Sequence, residues 1–185
     1  AIFYSISNCQ PGLSGVRLGD FLIKRVVSLL ASEIPSLKNF ATLSPIPGFV
    51  KWLTSAIEDN DVPIFTREQQ LSLDGVQEAL RNTDWYQSEE LRQELEPVLS
   101  QLCFYYLTSV KTGDRISDPV ANFHLSNGAR VEQIQFLANT RADGLAQSLG
   151  MMVNYRYVLD YIEDNHDAYV HEGHVEISKT LLELQ

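Results

Sequence analysis

The chain has 185 residues, 44% of them hydrophobic and 21% charged, with 14 basic against 24 acidic side chains and a formal net charge of −10. That length bounds it to one domain, or a large piece of one, with a real core, and no apolar run reaches the roughly 18 residues a membrane-spanning helix needs. The acidic balance argues against nucleic acid, whose phosphates call for excess Lys and Arg, but admits an anionic small ligand held by a local basic site and backbone donors.

In chain order, Ile2 to Ile6 is short, β-branched and aromatic and predicts a buried strand. The start lacks the basic residues of a leader, and opening in mid-strand without a methionine suggests a fragment of a longer protein. A loop with Pro11, Gly12, Gly15 and Gly19 leads into a helix carrying Leu18, Phe21, Leu22, Val26, Leu29 and Leu30, closed by Pro35. Phe40 to Ser44 predicts a second strand, ended by Pro45 and Pro47. From near Gly48 a helix places Phe49, Trp52, Leu53 and Ile57 on one face. Residues 58–65 form an acidic connector.

From about Thr66 to Leu107 the pattern is helical, with breaks near Gly75 and Asp84 and a core stripe of Leu91, Leu95, Val98, Leu99, Leu102 and Tyr106. The run from Asp118 to Gly128 is apolar and strand-like up to a Ser-Asn-Gly turn, and strand character extends from Val120 to Leu137. Arg141 to Leu149 predicts a short helix, Met152 to Val158 a strand, and Ile177 to Leu184 a terminal helix. Such alternation specifies an α/β or α+β domain. Cys9 and Cys103 form no CxxC pair and read as buried free thiols in a reducing compartment.

Four stretches could carry chemistry. The glycine-rich loop between the first strand and helix, with Arg17, Lys24 and Arg25 nearby, could bring backbone N–H groups against a phosphate, or be a plain tight connection. Its spacing is neither that of a Walker loop nor Gly-x-Gly-x-x-Gly. Ser44 sits at a strand end fixed by two prolines, where it is either a site residue or the cap of the next helix; no Gly-x-Ser-x-Gly elbow surrounds it. His124 precedes the Ser-Asn-Gly turn, which aims it at a pocket rim, unless it is a half-buried histidine bonded to backbone. Alternation through Asn154-Tyr155-Arg156-Tyr157 sends both tyrosines to one face and Arg156 to the other. His166, His171 and His174 match neither a helical i, i+4 pair nor a zinc spacing.

Taken in order, AIFYSIS, GLSGVRLGDFLIKRVV, LSPIPGFVKWL, DPVANFHLSNGA and GMMVNYRY closely resemble the catalytic domain of malonyl-CoA decarboxylases, from residue 1 to about 160. The resemblance implies a GNAT-like acyltransferase fold: a mixed sheet flanked by helices, with a helical insertion around residues 66–108. It implies conversion of malonyl-CoA to acetyl-CoA and carbon dioxide without metal or organic cofactor. It also implies that residues 1–185 are the C-terminal catalytic part of a longer, cytoplasmic protein, homo-oligomeric through an upstream helical domain.

By the same resemblance, Ser44 and His124 are the catalytic pair with Tyr157 beside the histidine. The loop of Ser14, Gly15, Val16, Arg17, Leu18, Gly19 and Asp20 contacts the coenzyme A pyrophosphate. Vertebrate relatives carry an acidic residue at position 17; this departure leaves the detailed role of Arg17 open, but not the loop's backbone contacts. Two rival readings share the coenzyme A site: an acyltransferase, including the decarboxylating loading domains of assembly lines, and a non-enzymatic coenzyme A-binding module.

Overall fold

The computed structural model describes residues 1–4, 18–62 and 67–184. Its strands and helices run β1 (Ile2–Phe3), α1 (Leu18–Glu33), β2 (Phe40–Thr42), β3 (Ser44–Pro45), α2 (Phe49–Glu58), α3 (Arg67–Arg81), α4 (Glu89–Ser109), β4 (Lys111–Thr112), β5 (Arg115–Ile116), α5 (Pro119–Ser126), β6 (Arg130–Gln135), α6 (Ala142–Ser148), β7 (Met152–Tyr157) and α7 (Ile162–Glu172). Short 3-10 turns occupy Trp85–Gln87, Leu159–Tyr161 and Lys179–Leu184.

β7 is the hub of a five-stranded mixed sheet. It pairs antiparallel with β6 along one side and with both β2 and β3 along the other, while β1 joins β2 in parallel. The strict alternation of β7 buries Val153, Tyr155 and Tyr157 on one face. On the opposite face Arg156 bonds Glu132 of β6 and Asn39. β2 and β3 keep one register against β7: Phe40 opposes Tyr157, Ala41 opposes Arg156, and Ser44 opposes Val153. Regular pairing stops between them, at Thr42 and Leu43, and side chains fill the gap. Thr42 Oγ1 accepts the Tyr155 amide at 3.2 Å, and Asn154 Nδ2 donates to the Thr42 carbonyl at 2.6 Å.

The core lies between the tyrosine face of β7 and helices α2, α4 and α5. Phe49 and Leu53 enter it from α2, Leu95, Leu99 and Leu102 from α4, and Ala121 and Leu125 from α5. The helical insertion is α3 and α4, broken near Asp84 as expected but continuous through Gly75. There the absent side chain lets the helices approach, since a Cβ would lie 3.1 Å from the side chains of Glu94 and Leu95. Among the described residues no helix is long and apolar enough to cross a membrane.

Three expectations need correction. The stretch before the Ser-Asn-Gly turn is a helix, not a strand: Asp118 caps it by accepting the amides of Val120 at 3.0 Å and Ala121 at 2.9 Å, and Pro119 occupies its first turn. Strand structure resumes only at Arg130. Of the strand expected over Ile2 to Ile6, the described part, β1, pairs only with β2 among the described strands and leaves Ile2 65% exposed while Phe3 packs against the core; Ser5 and Ile6 lie outside the described residues. The chain end is a 3-10 turn, and α7, which has no apolar stripe to announce it, goes unpredicted.

Gly128 closes α5 at φ +78°, where a Cβ would run into the backbone carbonyl of Ile162. Backbone cannot swing aside as a side chain can. Gly128→Ala is therefore expected to cost more than about 2 kcal/mol, read by urea unfolding. A loss of a few tenths would show that the α5–α7 approach is looser than described.

Candidate active site

Ser44, His124 and Tyr157 converge on the buried face of β7. Ser44 Oγ lies 3.1 Å from His124 Nε2, and His124 Nδ1 lies 2.8 Å from the Tyr157 hydroxyl. Both contacts span long stretches of chain and hold the imidazole at its two nitrogens. Ser44 Oγ also donates to Thr42 Oγ1 at 2.9 Å. The result is one hydrogen-bonded chain, Thr42–Ser44–His124–Tyr157, of four buried residues. The Tyr155 ring stacks on the imidazole at 4.6 Å between centroids, and Phe123 meets it edge-on at 5.0 Å.

Local sequence explains each placement. Thr42 and Ser44 are two apart on one extended segment and so share a face, as do Tyr155 and Tyr157 on the neighbouring strand. Pro45 and Pro47 stiffen the chain beyond Ser44. His124 comes from the last turn of α5, whose start is fixed by Asp118. That carboxylate also reaches Gly48, accepting its amide at 3.3 Å, and takes the phenol of Tyr106. One buried side chain therefore ties the helix of His124 to the segment that follows Ser44. The alternative role of Ser44 as a helix cap is excluded geometrically: α2 starts at Phe49, its cap residue is Gly48, and no side chain caps it.

Burial sets the charge state. With only 2% of its surface exposed, His124 is pushed down to about 3 by desolvation and is a neutral imidazole near neutrality. Burial raises the Asp118 carboxyl, and the amides of Ala121, Gly48 and Val120 together with Tyr106 counter it. A neutral, positioned imidazole flanked by two hydroxyls can donate one N–H and accept at the other nitrogen, which suits proton delivery and anion binding.

A family model described as the malonyl-CoA decarboxylase C-terminal domain matches residues 1–184. The chain belongs to this family. Malonyl-CoA decarboxylase, mitochondrial, of Anser anser anser is 41% identical over 98% of this chain and 39% of its own length, and that of Mus musculus is 42% identical over 100% and 40%. The crystal structure of malonyl-CoA decarboxylase from Rhodopseudomonas palustris superposes with a TM-score of 0.89 at 40% identity, covering 99% of this chain and 41% of that one. The one from Agrobacterium vitis also gives 0.89 at 40% identity, covering 100% and 44%. The chain thus spans about two-fifths of the length of these malonyl-CoA decarboxylases. Its mixed sheet, flanking helices and helical insertion agree with the GNAT-like architecture expected.

Of the other expected site residues in this domain, Ser14, Gly15, Val16 and Arg17 lie outside the described residues. Leu18, Gly19 and Asp20 open α1. Lys24 forms a surface ion pair with Glu163 of α7 at 3.1 Å, and Arg25 is exposed. His171 and His174 face Asp167 and Glu176, and no group of three His, Cys, Asp or Glu able to hold a metal occurs among the described residues. Sequence reasoning missed Thr42 and Asp118, and gave Tyr155 only its shared face with Tyr157. The first was findable from its spacing to Ser44, and the second from the Asp-Pro helix-start signal.

The depressed histidine has a stability consequence. Between its ordinary 6.5 and about 3, the unfolded chain holds a proton at His124 that the folded chain lacks, so stability falls as pH drops through that window. Asp118, raised on folding, works in the opposite sense: its contribution is present below 3.8 and is lost as pH rises. We expect His124 to contribute a slope approaching about 1.4 kcal/mol per pH unit between about pH 5 and 6. His124→Gln should flatten urea-unfolding stability there by that amount, and an unchanged slope would refute the buried neutral assignment.

Proposed function

We propose that this chain is the catalytic domain of a malonyl-CoA decarboxylase, which converts malonyl-CoA to acetyl-CoA and carbon dioxide. The observation that carries the reading is the buried Ser44–His124–Tyr157 chain, in a domain of this family. Breaking the carboxylate's C–C bond leaves its electron pair in a thioester enolate, and carbon dioxide departs. The enolate carbon then takes one proton. The site must orient the carboxylate with that bond perpendicular to the thioester plane, and must stabilise charge on the thioester oxygen.

In this proposal His124 hydrogen-bonds the malonyl carboxylate and supplies the proton, directly or through one water. Ser44 orients the same carboxylate or the imidazole, and Tyr157 supports the ring from its far side. The loop of Ser14, Gly15, Val16, Arg17, Leu18, Gly19 and Asp20 takes the pyrophosphate with its backbone, aided by the start of α1. No metal or organic cofactor is called for, because coenzyme A belongs to the substrate. The proposal extends to homo-oligomerisation through an upstream helical domain and to a cytoplasmic setting. A free, buried Cys103 suits a reducing compartment, although the goose and mouse relatives are named as mitochondrial. Light scattering and cell fractionation of the full chain check these two points.

Incubation with malonyl-CoA and no acceptor should release carbon dioxide and acetyl-CoA. Turnover only with an amine or thiol acceptor would favour an acyltransferase, and tight binding without product a coenzyme A-binding module. His124→Ala should lower kcat by at least about 10²-fold with coenzyme A affinity nearly intact. A fully active Ser44→Ala would remove Ser44 from the mechanism. Replacing Gly15 with Leu should raise KM for malonyl-CoA, since a side chain would fill the space where backbone meets pyrophosphate. An unchanged KM would count against the loop.

A further inference from the structure

Thr42 has no part in the mechanism so far, yet it is fully buried and its hydroxyl sits at the end of the hydrogen-bonded chain. It lies where pairing between β2 and β7 is interrupted. Its carbonyl is taken by Asn154 Nδ2, and its hydroxyl oxygen accepts the Tyr155 amide. A backbone N–H therefore fixes the direction of the Thr42 lone pairs. The second lone pair accepts from Ser44 Oγ at 2.9 Å.

A serine hydroxyl has one proton. With that proton committed to Thr42, Ser44 Oγ can only accept at its contact with His124 Nε2. The nitrogen at 3.1 Å must then carry hydrogen. A neutral imidazole has a single N–H, so Nδ1 is bare and accepts the Tyr157 phenol at 2.8 Å.

We propose that Thr42 is a positioning residue that sets the proton direction of the whole chain: Tyr157 O–H to Nδ1, Nε2–H to Ser44 Oγ, Ser44 O–H to Thr42. The desolvation that keeps His124 neutral is consistent with this single-proton ring. In this polarity Nε2 is not a base that could strip Ser44 for nucleophilic attack. It is a donor: once substrate enters, the Nε2 proton passes to the enolate carbon while Nδ1 takes the phenol proton of Tyr157, so the ring stays neutral and Tyr157 regains its proton from solvent between turnovers. Ser44 is a hydrogen-bond relay and forms no acyl-enzyme. The opposite tautomer, with Nδ1–H donating to Tyr157 and a bare Nε2, would require Ser44 to withdraw its proton from Thr42.

The tautomer can be read without substrate, from the long-range proton–nitrogen correlation spectrum of the full chain labelled with ¹⁵N-histidine. The four histidines are separated by comparison with His124→Gln. Wild type should show the Nε2–H form at His124. Thr42→Val keeps the branched shape but removes the acceptor, and should move the ring to the Nδ1–H form or to a mixture. Thr42→Ser should restore the wild-type pattern.

The kinetic arm rests on the proposed decarboxylase activity. Thr42→Val should lower kcat for malonyl-CoA at least about tenfold with KM within about twofold, and Thr42→Ser should recover most of it. An Nδ1–H ring in wild type would overturn the assignment, as would a folded Thr42→Val that keeps the Nε2–H form. Wild type alone decides if the valine variant does not fold. The expected tautomer in a protein that never turns over malonyl-CoA would support the proton direction and refute the decarboxylase reading.

Discussion

Asp118 accepts hydrogen bonds from three parts of the chain at once: the first turn of α5, the Gly48 amide at the start of α2, and the Tyr106 phenol on α4. A carboxylate with no exposed surface is costly to bury and is retained only when its lone pairs are taken. Each bond to such an acceptor contributes about 1.5–3 kcal/mol, and removing the acceptor would leave several donors stranded in the core. The separation of Ser44 and His124 depends on this junction. Ser44 lies four residues before Gly48, with two prolines between, and His124 lies six residues after Asp118. Neither intervening segment has much freedom, because one is proline-stiffened and the other is helical.

A second constraint is the sheet. β7 brings Tyr155 and Tyr157 to the same face as Thr42 and Ser44, so backbone register alone assembles four of the side chains that contact one another in and around the site. The interrupted pairing at Thr42 and Leu43 frees the Thr42 hydroxyl from pure packing and gives it a hydrogen-bonding role. On the other face the same strand carries Arg156 in its bonds with Glu132 and Asn39, which keeps that charge away from the imidazole. With no cation beside it among the described residues and the rings of Phe123, Tyr155 and Tyr157 around it, His124 is governed by desolvation.

Much of this was legible in the residues. The period-2 pattern of Met152 to Tyr157, the apolar face of Phe49, Leu53 and Ile57, and the long stripe of α4 follow from spacing, and all three form as expected. The segment of His124 was misread because Val120, Ala121, Phe123 and Leu125 look as apolar as a buried strand. The Asp-Pro start outweighs that pattern, since a capped first turn satisfies amides that a lone strand would leave open. Helix α7 was missed for the opposite reason. It buries little beyond Ile162 and Tyr169, too few apolar positions to mark a helical period.

By itself, the sequence determined the ordered motifs that place this chain in the malonyl-CoA decarboxylase family, the alternation of strands and helices, and the identity of Ser44, His124 and Tyr157 as candidates. These are properties of local spacing and of residue type. Tertiary structure alone decided that the three side chains touch, that the histidine is neutral, and that Asp118 and Thr42 stand behind it. Hydrogen bonds between residues 80 and 33 positions apart have no local signature. Desolvation is likewise a property of the surroundings: it exists only once β3 and β7 have closed over α5 and excluded water from the ring.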